Sequence, residues 1–393
     1  MKRAATIFCC CGLLIALATQ TFGAVSNQST TDRKLNELTN RFSNLESTWG
    51  RFQIGGSFEL DTTSTLSKDQ DAPTPPGFNQ QLGLFFDANI DPNLQVSLKV
   101  SQEGGWGLNY LSAGSSNVPL TTPFQVDEAF LRLTYPDSYN YLGRFRFSLG
   151  PIGLISDFYA NPVEGVAIQK AFHNYHVIGV YSRVNTQYKP GTNEIEATED
   201  YFSARVGWSD QNTMFGLNLV PNGITGEKAA SIDWSSSTKT SKIAAELGEY
   251  SFDSSQYPDY KVDWTPGFLI SYAKVLANNN FLQLKAGYFG PQFMPSYSSL
   301  AHSSGDDREW FIPNSQGLEI YLQTPLKKGY SLENRLIFLT PVENYNQPDL
   351  NYRLRSDLVK NFSPVNQIQI GFDLKYFPDN VYNQIFLNWI LQF

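Results

Sequence analysis

Val381 to Phe393 reads VYNQIFLNWILQF, and the alternation in this stretch decides the fold. Val381, Asn383, Ile385, Leu387, Trp389, Leu391 and Phe393 fall on one face of an extended strand, whereas Tyr382, Gln384, Asn388 and Gln392 fall on the other. A soluble domain seldom closes on such a stripe, because nothing follows to cover it.

The opposite end, MKRAATIFCCCGLLIALATQTFG, has a basic start, an apolar middle and small residues near Gly23. Residues 1–23 are expected to be a secretory signal peptide, and 24–393 the mature chain. Cys9, Cys10 and Cys11 are the three cysteines of the chain and all lie in that leader. The mature chain is therefore expected to hold no disulfide, no thiolate metal site and no cysteine nucleophile. No cofactor or metal is expected either. Removing Lys2 and Arg3 from 29 basic residues leaves 27 against 37 acidic, a net charge of −10. A nucleic-acid binder needs a basic surface, so that class is set aside.

Aromatics make up 14% of a chain that is only 41% hydrophobic, and beyond the leader no apolar run approaches the roughly 18 residues of a membrane helix. A membrane-spanning version of this chain would have to cross with strands.

Residues 24–49 contain Leu35, Leu38, Phe42, Leu45 and Trp49 at spacings of three and four, the a/d seam of a short heptad helix. So short a helix is marginal alone. Self-association, most naturally as a homotrimer, is the expectation. From residue 50 the period becomes two and stays so. Phe52, Ile54, Phe58 and Leu60 alternate with polar residues, and the pattern recurs in NLQVSLKVS, EAFLRLTY, NYLGRFRFSL, HVIGVYSRV and onward to the terminal strand. The total is about eighteen strands, with sixteen inside the margin. Connections alternate in length. Tight turns such as Asp91-Pro92-Asn93 are followed by long stretches such as residues 104–125, 150–162 and 290–315.

A soluble sandwich would also alternate along each strand, but it gives no reason for systematic short and long connections. A soluble barrel this large would have an unfilled interior, whereas a membrane barrel uses its interior as a channel. Closure also removes the strand edges that lipid cannot satisfy. The expected fold is all-β: a transmembrane antiparallel up-and-down β-barrel over 50–393, preceded by the helix.

The terminal IFLNWILQF resembles the carboxy-terminal signature of Gram-negative outer-membrane proteins, carried here by Ile385, Leu387, Trp389, Leu391 and Phe393. The resemblance implies delivery to a bacterial outer membrane by the barrel-assembly machinery, with the lipid bilayer as a partner. More loosely, VDEAFLRL followed by LGRFRFSLGPIG resembles the paired strands before the constriction loop of phosphate-selective and siderophore-porin groups. Several such porins also carry a heptad helix ahead of the barrel. This implies a porin that passes small hydrophilic solutes.

Charged residues are expected to face water and not lipid. That expectation puts Arg132, Arg144, Arg146, Arg183 and Arg205 inside, opposed mainly by Glu128, with Arg353 and Arg355 on later strands among acids. The segment GPIGLISDFYANP is too apolar to float in solvent. It is expected to fold inward, narrowing the pore with Asp157 towards the arginines. Guanidinium groups suit carboxylates and phosphates, so a preference for anions is the finer expectation. Catalysis is not expected. His302 in AHSSGDDREW has acids nearby, but such residues are ordinary in loops. The about 27 residues between Gly23 and Arg51 are too few for a plug domain, which leaves passive or facilitated diffusion. An adhesin or envelope anchor is the alternative, with an outer-membrane hydrolase behind it.

Overall fold

The computed structural model describes residues 52–67, 77–107, 120–121, 124–157, 162–188, 195–223, 226–253, 261–295, 311, 313–343, 351–377 and 380–393. The leader and the heptad segment, with Leu35, Leu38, Phe42, Leu45 and Trp49, lie outside the described residues.

The strands are β1 (Phe52–Ser67), β2 (Gly77–Asp91), β3 (Leu94–Gly107), β4 (Leu120–Thr121), β5 (Gln125–Tyr135), β6 (Ser138–Phe145), β7 (Val163–Phe172), β8 (Tyr175–Tyr188), β9 (Ile195–Ser209) and β10 (Thr213–Asn222). They continue as β11 (Glu227–Ser237), β12 (Ser241–Asp253), β13 (Lys261–Val275), β14 (Phe281–Phe289), β15 (Ser315–Pro325), β16 (Tyr330–Pro341), β17 (Asn351–Ser363), β18 (Asn366–Phe377) and β19 (Asn380–Gln392). Apart from β4, which pairs with β3 alone, consecutive strands are hydrogen-bonded, and β19 returns to pair antiparallel with β1. The two-residue β4 lies on β3 just beyond β5, so the two form one stave. The result is a closed barrel of eighteen staves, within the range that the alternation predicts.

The seam follows from the stretch at the carboxy terminus. Phe58 stands opposite Leu391 and Leu60 opposite Trp389, and the chain end is tied by Gly56 N–H to Phe393 O at 2.8 Å and Phe393 N–H to Gly56 O at 2.9 Å. On the outward face Phe58 and Trp389 meet edge to face, with centroids 6.4 Å apart. On the inward face Asn388 Nδ2 donates to Glu59 Oε1 at 2.6 Å. Ile385 and Leu387 stay exposed on the outside.

One end of the barrel has tight turns, and residue choice explains several of them. Asn278, Asn279 and Lys328 adopt positive φ in the connections after β13 and β15, a region in which asparagine is favoured over bulkier residues. The other end has the long connections. NYLGRFRFSL does not run as one strand: β6 stops at Phe145, and the following residues leave the sheet.

Candidate functional site

The two faces of the sheet differ in chemistry. Ile168, Val206, Leu217, Ile232, Leu247 and Ile370 are exposed on the outward face. Between and beside them on the inward face sit Arg205, Asp233, Glu246, Glu319, Arg353 and Asp373, none more than 4% exposed. Charges can be this deeply buried only because the lumen is partly filled.

Residues 146–157 supply much of that filling. Leu149, Leu154, Ile155 and Ser156 are buried, and the segment closes on itself through a Ser148–Asp157 bridge and Leu149 N–H to Ser156 O at 2.9 Å. Two hydrogen bonds tie its far end to the wall. Leu154 N–H donates to Glu246 Oε2 on β12 at 3.1 Å, and Ser156 Oγ lies 3.0 Å from the Tyr201 hydroxyl on β9. Gly150, at φ +80°, lies over Arg205, Asp233 and Asn218, where a Cβ would come within 3.1–3.2 Å of all three. Only a residue without a side chain fits that backbone and that space.

A second inward segment follows β14. Phe293 and Phe311 pack on Phe289 with centroids 5.9 and 5.7 Å away, and Tyr250 lies 6.2 Å from Phe293. Gly267 of β13 makes the seat, since a Cβ there would lie 2.5 Å from the Phe293 ring. With Phe145, Leu154 and Ile155 these residues form a buried apolar cluster within the barrel.

The polar cluster beneath the first segment is continuous. Arg205 bonds both carboxylate oxygens of Asp233, Nη2 to Oδ1 at 2.9 Å, and donates through Nη1 to Asn218 Oδ1 at 2.8 Å and through Nε to His176 Nε2 at 3.2 Å. Asn218 Nδ2 reaches Asp233 at 2.7 Å and Ser231 Oγ at 3.0 Å; Ser231 Oγ in turn donates to Glu246 at 2.6 Å. A guanidinium occupies the space beside Gly216, where a Cβ would lie 2.4 Å from it.

The arginines expected inside divide into groups. Arg132 points inward between the outward Leu131 and Leu133, with its Nε buried and without a hydrogen-bond partner among the described residues. Arg146 pairs with Glu128 at 3.4 Å. Arg205 and Arg353 are buried, the latter bonded to Asp373 at 2.5 and 2.8 Å. Arg355 bonds Asp357 at 2.9 Å and stacks over Phe386 at 4.3 Å.

Arg144 and Arg183 require correction. Arg144 stands opposite Glu164 and shares the outward face with Leu142 and Ile168, while its neighbour Phe145 turns in to the cluster. Arg183 stands opposite Asp200 and shares the face of the exposed Tyr181. Both make outward ion pairs, Arg144 with Glu164 at 2.8 Å and Arg183 with Asp200 at 3.4 Å. Charge alone misassigned them: beside Arg144 the inward position is taken by Phe145, and beside Arg183 by the buried Ser182. Asp157 lies at the base of the inward segment beside Gly153.

Asp233, Glu246 and Asn218 were missed. Their signal was present: Asp233 lies between Ile232 and Trp234, and Glu246 between Ala245 and Leu247, each a polar residue alternating with apolar ones. His302 and its loop lie outside the described residues.

The rest of the lumen is wetter. On β1, β2, β3 and β5 the inward Glu59, Asp61, Asp87, Lys99, Glu128 and Arg132 are all partly exposed. Acids and bases are interspersed there, so this wall is not basic.

Neither a family model nor a curated protein matches the sequence. Solved structures do match in shape. OccK9 (OpdG) of Pseudomonas aeruginosa is similar at a TM-score of 0.62 and 11% identity, covering 88% of this chain and 99% of its own. A BenF-like porin from Pseudomonas fluorescens Pf-5 gives 0.61 and 10%, covering 87% and 99%. OccAB4 of Acinetobacter baumannii gives 0.55 and 10%, covering 87% and 98%. At such identities the likeness is one of fold.

Proposed function

We propose that this chain is an outer-membrane porin, through which small hydrophilic solutes diffuse past the inward segment. The observation that carries the reading is a closed eighteen-stave barrel, apolar outside, whose inward segment seals one side of the lumen while β1, β2, β3 and β5 keep polar residues partly exposed. The solved barrels of similar shape include a BenF-like porin and the outer membrane protein opdK of Pseudomonas aeruginosa, which supports both the activity and the location. The terminal signature from Ile385 to Phe393 supports delivery by the barrel-assembly machinery. No reaction is assigned: Asp233 and Glu246 are committed to hydrogen bonds within the wall and to the inward segment, Asp373 is bonded to Arg353, and Glu319 stands between Lys285 and Arg335.

Anion preference loses its support with Arg144 and Arg183 outside and Arg205 and Arg353 paired. The interspersed charges of the wet wall support weak selectivity instead. Planar-bilayer recording tests both points. Unitary conductance is expected, with a reversal potential in a tenfold salt gradient well short of the roughly 59 mV limit for a perfectly selective pore. Absence of channels from correctly folded protein would favour the adhesin or anchor reading.

The heptad segment is proposed to hold three copies together. Deleting residues 24–49 is expected to convert a trimer to a monomer in analytical ultracentrifugation without changing the conductance of each barrel.

A further inference from the structure

We infer that Glu246 is the positioning residue that seats the inward segment 146–157 against the barrel wall, and so fixes the bore. The inference rests on the channel reading for its consequence but not for its geometry. Glu246 is fully buried on β12, directly opposite Asp233 of β11. A carboxylate in such a place must be matched by donors, and among the described residues three approach it. Ser231 Oγ gives to Oε1 at 2.6 Å, Asn218 Nδ2 approaches Oε1 at 3.5 Å, and Leu154 N–H gives to Oε2 at 3.1 Å. The first two belong to the wall. The third belongs to a segment 92 residues away in sequence.

The wall around Glu246 is shaped for this purpose. The inward positions on either side of it are Ala244 and Gly248, so the carboxylate projects from a shallow in which the segment lies. Ile155 occupies the space over Gly248, its Cγ2 3.1 Å from where a Cβ would be. Asp233 cannot substitute, because it is held by Arg205 and Asn218. Asn218 ties the two carboxylates into one framework, so the grip on Leu154 is backed by rigid neighbours and does not hang on a free side chain. A buried hydrogen bond from a backbone N–H at the turn of the segment fixes its position without restricting the side chains it shows to the pore. The arrangement is that of a seated constriction and not of a gate.

Two measurements test this. The first needs no current: a single Ile155→Cys is introduced into the cysteine-free mature chain and labelled with a water-soluble maleimide in the folded protein. Labelling is expected to be slow, and to quicken roughly tenfold when Glu246→Leu is added, the change expected from losing one buried hydrogen bond. Equal rates in the two folded proteins overturn the role of Glu246 whatever the channel does. The second places Ile155→Cys with Gly248→Cys to lock the segment. In the chain that keeps Glu246 the pair should oxidise readily, and the oxidised and reduced forms of this same double variant should carry the same current; a current that changes on oxidation means that the segment is not seated there, and this holds even if Glu246→Leu does not fold. With Glu246→Leu, reduced protein should show larger and noisier unitary currents that become quiet on oxidation. Noise that persists after oxidation overturns the claim that the segment is the moving part. Failure of the unaltered chain to conduct counts against the porin reading and leaves the labelling test standing.

Discussion

Arg144 and Arg146 are two residues apart and chemically identical, yet they have opposite fates. Arg144 pairs outward with Glu164, and Arg146 turns in to Glu128 after the strand has ended. In sequence both looked inward, because the reading assumed that charge marks water. What decided the matter was Phe145 between them, which is buried in the lumen against Tyr141 and Phe147. The two variants should therefore separate. Arg144→Ala is expected to leave the reversal potential unchanged, whereas Arg146→Ala exposes Glu128 and shifts it towards cations. An equal shift from both would contradict the assigned faces. The buried Arg205–Asp233 pair is decided just as locally. Asp233→Ala leaves a guanidinium at 3% exposure without its carboxylate and should cost about 3–5 kcal/mol of unfolding free energy in vesicles. Replacing Arg205 and Asp233 together by Met and Leu should cost much less, since no charge is then stranded. Equal losses for the single and double variants would show that the pair contributes packing alone.

At the scale of elements the strands were legible and their ends were not. Period-two alternation located the eighteen staves because each has lipid-type residues on one face and polar ones on the other over a long enough run to count. β6 was overrun because RFRFSL still alternates after Phe145, although its aromatic residues then pack inside. The inward segment was legible from Ile152, Leu154 and Ile155, which have no reason to be apolar in a solvated loop. Its partner Glu246 was not, because the wall that receives it lies 92 residues later and only the closed barrel brings the two together. β19 offers a clean test of facing. Leu387 is exposed on the outside and Asn388 bonds Glu59 on the inside. Leu387→Arg near the middle of the lipid band should destabilise the barrel by about 2–4 kcal/mol, and Asn388→Arg by less than about 1 kcal/mol, since Glu59 is at hand to pair with it. Folding titrations in vesicles give both values; the reverse order would invert the assignment of every face along the seam.

For the molecule as a whole, the closing register matters more than any single contact. β19 bonds β18 on one side and β1 on the other, and Phe393 completes the ladder with Gly56. Removing β19 would leave two unpaired edges in a medium with no water to satisfy them, a penalty that accumulates with every residue of the strand. Closure is thus all or none. A chain ending at Phe377 is expected to lack the compact species that an intact barrel shows in unboiled detergent gels, even at low temperature. Removal of Phe393 alone removes two backbone bonds and one outward ring, so the compact species should form but convert to the unfolded mobility at a lower temperature. If the chain ending at Phe377 still gave a heat-modifiable species, β18 and β1 would have to pair directly, and a smaller ring could not hold the inward segment in the same seat. The labelling rate at Ile155→Cys would then rise even with Glu246 in place, which connects the last strand of the barrel to the constriction on its far wall.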